Sequence, residues 1–107
     1  DDAALLVRGP VGLGLINGVG QLPRSRARQA VYERFAAAGF VFPPLVHPQA
    51  WAAPDAQLAE GVQLMAGAIV QPGCVIGANS TLNTRASIDH ECDIGQHVHI
   101  APGAVLC

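Results

Sequence analysis

Hydrophobic residues recur every six positions through the second half of the chain. Stepping by six from Val46 meets an aliphatic side chain each time, without an insertion or deletion, as far as Leu106. The members of this register are Val46, Ala52, Leu58, Leu64, Val70, Ile76, Leu82, Ile88, Ile94, Ile100 and Leu106. Such a period fits neither an α-helix nor the alternation of an isolated strand. The pattern therefore predicts a coil of short strands joined by tight turns.

The positions between the aliphatic residues carry small side chains and turn formers. A second register, four residues after the first, holds Ala50, Ala56, Val62, Ala68, Cys74, Ser80, Ala86, Cys92, Val98 and Ala104. Two neighbouring positions of the six-residue period carry turn formers. The first holds Pro48, Pro54, Pro72 and Pro102, and the second holds Gly61, Gly67, Gly73, Asn79 and Gly103. Proline fixes one backbone angle, and glycine or asparagine tolerates the left-handed conformation. We expect a parallel β-helix of triangular section in which residues eighteen apart stack.

The segment before the repeat has a different pattern. Leu13–Ile16 predicts a short buried strand followed by a glycine-rich turn. Apolar residues at helical spacing after Ser25, a plausible N-cap, predict an amphipathic helix that ends before Gly39. Phe40–Phe42 predicts a last strand ahead of two prolines. This order is that of part of an α/β unit, so the expected fold is mainly β with a partial α/β, Rossmann-like segment at its start.

Composition and charge narrow the classes of function. Half of the residues are hydrophobic but only 5% are aromatic, which predicts a thinly layered aliphatic core. The net charge of -2 gives no broad basic surface for nucleic acid. The apolar runs are far shorter than the roughly 20 residues of a membrane span, and the acidic start is unlike a secretory signal, so we expect a cytoplasmic protein. The three cysteines lack CxxC spacing and predict reduced thiols.

His90 and Glu91 stand out because the repeat geometry does not require them. They occupy the two turn positions at which several other repeats place Pro, Ala, Gly or Asn. A corner side chain is expected to be exposed along an edge of the prism, and a histidine beside a carboxylate can accept a proton from an amine or a hydroxyl group. Ordinary surface residues at a corner are the alternative.

Several runs of the sequence resemble the hexapeptide-repeat sugar acetyltransferases of the bacillosamine and sialic-acid O-acetyltransferase type. These runs are Leu45–Pro48, Met65–Ala68, Asn83–Thr84, Ile88–Gly95 and His97–Ala104, together with Val31–Phe35 and Gly39–Phe40. The resemblance implies a left-handed β-helix at residues 45–107 and, at residues 1–44, the C-terminal part of a sugar-nucleotide-binding domain. It also implies a homotrimer whose active sites lie between subunits.

The resemblance also implies roles for single residues. His90 matches the family's general base, Glu91 its acidic neighbour, and His99 a histidine that contacts acetyl-CoA, the co-substrate. Gly20 lies where a glycine lines the pocket for the nucleotide-sugar substrate, a UDP-linked amino sugar for example. The implied reaction is direct transfer of an acetyl group to an amine, with no acyl-enzyme and no role for Cys92 as a nucleophile. Acetylation of a sugar hydroxyl, as in sialic-acid O-acetylation, is the alternative.

The sequence departs from the family at three places. The family's glycine-rich first turn would precede Asp1, and the coils expected to supply the oxyanion donor and most of the CoA groove would follow Cys107. We therefore expect a piece of a longer enzyme, inactive without those parts. Arg85 occupies a position where small residues are usual.

Two other classes of protein remain as alternatives. His90, His97 and His99 are close in sequence, and β-helices of the γ-carbonic anhydrase type bind zinc through three histidines. However, no histidine pair has the spacing of that family's ligands, so we expect no metal. A catalytically inert trimerisation module is the other alternative, and His90 with Glu91 is the feature that distinguishes it from an enzyme.

Overall fold

A computed structural model of the protein describes residues 1–22 and 24–107. The chain forms two compact units, Asp1–Pro43 and Pro44–Cys107. Neither helix among the described residues has the length and apolar content needed to cross a bilayer.

The second unit is a solenoid of parallel strands, and its described residues form eleven strands of two residues each. The strands are Leu45–Val46 (β1), Trp51–Ala52 (β2), Gln57–Leu58 (β3), Gln63–Leu64 (β4), Ile69–Val70 (β5), Val75–Ile76 (β6), Thr81–Leu82 (β7), Ser87–Ile88 (β8), Asp93–Ile94 (β9), His99–Ile100 (β10) and Val105–Leu106 (β11). Successive strands join three sheets in turn, which are the three faces of a prism: β1-β4-β7-β10 (first face), β2-β5-β8-β11 (second face) and β3-β6-β9 (third face). The predicted parallel coil is confirmed.

The strands pair in the register that the period predicts. Gln63 pairs with Thr81, and Ser87 pairs with Val105, so the partners in each pair are eighteen residues apart. In eight of the eleven strands the second residue, which belongs to the aliphatic register, is more buried than the first and faces the axis. The best-buried members of the aliphatic register, each without exposed surface, are Leu64, Val70, Ile76, Leu82 and Ile88. Each such burial contributes about 1.5–3 kcal/mol, which makes this axial column the main source of stability.

Small side chains fill the space just ahead of each strand, as the second register predicts. Val62, Ala68, Cys74, Ser80 and Ala86 are completely buried. The polar member of the set, Ser80, is satisfied because its hydroxyl donates to the carbonyl oxygen of Gly95 at 2.7 Å. This pairing removes the cost of a buried hydroxyl that has no partner.

The corners of the prism are tight turns whose second residue is left-handed. From Gly61 onward every sixth residue has a positive φ, namely Gly61, Gly67, Gly73, Asn79, Arg85, Glu91, His97 and Gly103. Several turns are closed within their own coil, for example by Ala104 N–H donating to Ala101 O at 3.1 Å. Glycine adopts this conformation freely, whereas other residues lose about 1–2 kcal/mol in it. Four of these turns therefore have a residue larger than glycine in a conformation that favours glycine.

The first unit differs from its predicted structure. It contains a helix at Asp2–Arg8 (α1), which the sequence patterns did not indicate, and one at Ala27–Ala37 (α2). The predicted strands at Leu13–Ile16 and Phe40–Phe42 are reduced, among the described residues, to a single parallel bridge between Gly14 and Val41. Gly14 and Ile16 are exposed, so this segment lacks the buried face that would extend the pairing. A Rossmann-like sheet is not shown.

Two interactions hold the first unit together. Phe35, Phe40 and Phe42 form its buried cluster, with about 2–3% of their surface exposed. The second interaction is that of the buried Arg28, which donates from Nη1 to the carbonyl oxygens of Asn17 and Val19, at 3.0 Å each. Burial lowers the pKa of this guanidinium. Arg28 thus ties the glycine-rich turn to α2.

Replacing Ile76 with alanine is expected to lower the free energy of unfolding by about 2–5 kcal/mol, because the change leaves a cavity on the axis. Val75 precedes it in β6 and is 38% exposed, so Val75→Ala is a matched control that should cost less than about 1 kcal/mol. Urea titration followed by circular dichroism measures both values. A larger loss at Val75 would contradict the inward position of Ile76.

Candidate active site at the His90 corner

His90 and Glu91 form the turn between β8 and β9, where the second face of the prism meets the third. The turns at residues 72–73 and 54–55 lie at the same edge, one and two coils earlier respectively, because positions eighteen apart stack. We call these three turns the His90 corner. The exposed edge expected for His90 is confirmed, since 69% of its side chain and 81% of the Glu91 side chain are exposed.

The two side chains of the turn contact each other. His90 Nδ1 lies 3.5 Å from Glu91 Oε1, close enough for the carboxylate to hold a proton on that nitrogen. The backbone is also fixed, because His90 N–H donates to Asp89 Oδ1 at 2.8 Å. This arrangement leaves Nε2 of the imidazole as the free basic atom.

Glu91 is held in a backbone conformation that its residue type disfavours. Its φ is 58°, in the left-handed region, and its N–H donates to Pro72 O of the preceding coil at 2.9 Å. Gly73 lies directly beneath it, and a Cβ at Gly73 would stand 2.9 Å from Glu91 Cγ. Glycine at position 73 therefore provides the space in which the Glu91 side chain lies.

An open groove of about 540 Å³ runs beside the corner. It is lined by Asp55, Pro72, Gly73, Val75, His90, Glu91, Cys92 and Asp93. Three of these residues are carboxylates, whose negative potential attracts an ammonium group. The surface chemistry of the groove therefore suits an amine more than an anion.

Sequence reasoning missed Asp55 and Asp93 as residues of this groove. Asp55 could have been found from its spacing, because it lies thirty-six residues before Glu91 and so belongs to the same stacked column. Asp93 is the outward residue of β9 and carries no signal beyond its place next to the turn.

Cys92 lines the groove but is poorly suited to nucleophilic attack. Burial raises the pKa of its thiol, and the neighbouring Cys74 and Asp89 raise it further. A thiol kept protonated is a weak nucleophile. Cys74, Cys92 and Cys107 are free.

His99 does not join His90 within one chain. It is the outward residue of β10 on the first face, opposite the edge at which the other two faces meet. Gly20, the predicted pocket residue of the first unit, is exposed and has no atom near its missing Cβ. It is also absent from the lining of that unit's apolar cavity, which includes Leu15, Asn17 and Phe35.

The other histidines have local partners. His97 Nδ1 lies 3.0 Å from Nδ2 of Asn79. These two residues stack one coil apart at the edge where the third face meets the first. His47 Nδ1 accepts a hydrogen bond from Gln49 N–H at 3.0 Å. Within residues 1–22 and 24–107, no group of three or more His, Cys, Asp or Glu side chains is arranged to hold a metal ion.

The coil and its corner turns define a class of protein. Residues 73–107 match the family model of the bacterial transferase hexapeptide (six repeats). This match covers the last part of the solenoid, including the turn of His90 and Glu91. No curated protein matches the chain.

Solved structures identify the particular relatives. The chain is 43% identical to the acetyltransferase domain of PglB from Neisseria gonorrhoeae over 77% of its own length, with a TM-score of 0.75, and that domain has also been solved with acetyl coenzyme A. It is 32% identical over 98% of its length, with a TM-score of 0.86, to a histidine-to-alanine mutant of GDP-perosamine N-acetyltransferase from Caulobacter crescentus bound to CoA and GDP-perosamine. The chain spans 40% and 49% of these two structures. The resemblance to hexapeptide-repeat sugar acetyltransferases is confirmed.

Glu91→Gly is expected to give a protein about 1 kcal/mol more stable than Glu91→Ala, because glycine alone is unstrained at a φ near 58°. Both variants lack the Glu91 carboxylate, so the difference between their free energies of unfolding reports the backbone preference at this position. Thermal and urea unfolding of the two variants measures the difference. Equal stabilities would show that this corner carries no backbone strain.

Proposed function

We propose that the protein transfers the acetyl group of acetyl-CoA to the amine of a nucleotide-linked amino sugar, with His90 as the general base. The observation that carries the proposal is the exposed His90–Glu91 pair beside an open acidic groove. The match of the coil to sugar acetyltransferases supports it. Because the chain spans less than half of those proteins, the activity of the whole enzyme stands as a proposal.

His90 performs the proton transfer in this mechanism. A sugar amine must lose a proton as its nitrogen bonds to the acetyl carbon, and Nε2 of His90 is free to take it. Glu91 keeps the other ring nitrogen protonated and stabilises the imidazolium that results. The amine nitrogen bonds directly to the acetyl carbon as the thioester C–S bond breaks, and CoA leaves as its thiol with the proton that His90 accepted. Cys92, held as a thiol, takes no part.

The groove suits both reactants. Acetyl-CoA supplies an activated acetyl group, and Val75 offers an apolar surface beside His90 against which a small acyl group can lie. Asp55 and Asp93 add negative charge where an amine approaches. The left-handed sense of the coil belongs to this proposal, because it follows from the family resemblance.

The first unit is the proposed contributor to the nucleotide-sugar site. We propose that residues 1–44 are the end of a sugar-nucleotide-binding domain, with Gly20 in the turn that approaches the ligand. The Caulobacter relative is bound to GDP-perosamine, a ligand of this class. Arg28 supports the proposal because it fixes the carbonyls of Asn17 and Val19, and so the shape of that turn.

We propose that the protein works as a homotrimer with a site between each pair of subunits. His90 and His99 lie on opposite sides of one prism, so the two can serve one site only if different subunits supply them. The second face supports packing between copies, because its outward column includes the exposed apolar side chains Trp51, Ile69 and Val105. His99 would then contact acetyl-CoA from the neighbouring subunit.

His90→Ala is expected to lower kcat for acetyl transfer by about 10²- to 10⁴-fold, because the general base is lost. The measurement uses the intact enzyme, acetyl-CoA and a panel of nucleotide-linked amino and hydroxy sugars, with product mass identifying the acetylated atom. His47→Ala, at another corner, is the matched control and should retain activity. Full activity of His90→Ala would refute the assignment, and acetylation of hydroxyl groups alone would favour the O-acetyltransferase alternative.

Mixing two impaired variants tests the shared site. His90→Ala and His99→Ala are each expected to be weak at low acetyl-CoA. Unfolding and refolding them together in equal amounts should restore about a quarter of the wild-type sites. Each intact site needs His90 from a His99→Ala subunit and His99 from a neighbouring His90→Ala subunit. Activity no higher than the average of the two parents would place both histidines in sites within single subunits.

A further inference from the structure

The His90 corner is built on a ladder of backbone hydrogen bonds between coils. At most turns of the solenoid, the N–H of the second turn residue donates to the backbone carbonyl oxygen of the first turn residue in the preceding coil. Gly103 donates to Thr84 O, and His97 donates to Ala78 O, both at 2.9 Å. Glu91 follows the rule by donating to Pro72 O at 2.9 Å.

The ladder begins differently beneath Glu91. By the same rule Gly73 N–H would donate to the carbonyl of Pro54, but it donates instead to Asp55 Oδ1 at 3.2 Å. Asp55 is the second residue of its turn, and it lacks the positive φ found at the later corners. Its side-chain oxygen thus takes the place of a backbone carbonyl at the first step of this column.

We propose that Asp55 is a positioning residue for His90. Its carboxylate fixes the Pro72–Gly73 turn, and that turn holds Glu91 in two ways. Pro72 O accepts the Glu91 N–H, and the bare backbone of Gly73 leaves room for the Glu91 side chain. Glu91 in turn contacts His90 Nδ1 at 3.5 Å. The path from Asp55 to the imidazole crosses three coils through consecutive contacts.

This role is local to the His90 corner. At the corner between the first and second faces, Gln49 occupies the position that corresponds to Asp55. There Gly67 N–H donates to the backbone carbonyl of Gln49 at 3.1 Å, and Arg85 N–H donates to Ala66 O in the next coil. Removing the Gln49 side chain leaves that ladder intact, which makes Gln49→Ala a matched control.

Asp55→Ala and Asp55→Asn separate the hydrogen bond from the charge. Alanine removes the acceptor, whereas asparagine keeps an oxygen that can accept from Gly73 N–H. In Asp55→Ala, amide hydrogen exchange at Gly73 and Glu91 should accelerate roughly tenfold, as expected for loss of a bond that closes a local turn. Exchange at Arg85 should not change, Asp55→Asn should resemble the wild type, and Gln49→Ala should leave all three amides unaffected.

Kinetics on the intact enzyme test the consequence for catalysis, and this part rests on the proposed function. Asp55→Ala should lower kcat about tenfold with KM for acetyl-CoA unchanged, because a displaced base affects the reaction more than binding. KM for the sugar should rise equally in Asp55→Ala and Asp55→Asn, because both remove a negative charge from the groove. Asp55→Asn should restore kcat. Unchanged exchange at Glu91, an equal loss of kcat in both Asp55 variants, or full kcat in Asp55→Ala would each overturn the inference. Activity in His90→Ala would refute the proposed function while leaving the exchange result standing.

Discussion

The structure depends on one constraint, the stacking of each residue on the residue eighteen positions earlier. Two-residue strands are too short to be stable alone, and each is held by a parallel strand of the adjacent coil. The side chain that faces the axis fills the layer between its neighbours above and below. Because every coil depends on its neighbours in this way, the periodic aliphatic column and the periodic turns must agree at each step.

The corners show how the protein places chemistry on so regular a frame. A left-handed turn residue is most stable as glycine, and the corners at positions 61, 67, 73 and 103 use it. Between them the chain has Asn79, Arg85, Glu91 and His97 in the same conformation. At Glu91 the larger side chain contacts His90 and lines the groove, so the backbone strain there accompanies a candidate catalytic role. At Asn79 and His97 the two side chains contact each other across coils.

The sequence predicted the solenoid well because its rules are local and repeated. The inward position of Ile76, the small size of Ala68 and the turn at Gly103 all follow from one period, and each was expected. His90 could be placed on an exposed edge for the same reason. The groove around it was less predictable. Asp93 is an ordinary outward strand residue, and although the period places Asp55 in the column of Glu91, no spacing rule contains its side-chain bond to Gly73.

The first unit was predicted less well, since its pairing depends on contacts between distant segments. Leu13–Ile16 has the composition of a strand, but its partner contributes a single bridge at Val41. Arg28 is a charged residue of a helix, yet it is buried, and its guanidinium donates to two backbone carbonyls eleven and nine residues away. The role of Gly20 depends on a ligand and stays a prediction.

The fixed stacking of residues eighteen apart also limits where residues can be inserted into the solenoid. One residue added inside a strand would turn every later side chain to the wrong side and move the imidazole off its edge. Extra residues can be accommodated only as loops that leave and rejoin the chain at a turn, or as whole coils. Variation in length among proteins of this design should therefore be confined to the three edges, where a new loop could reshape the groove without disturbing the axis.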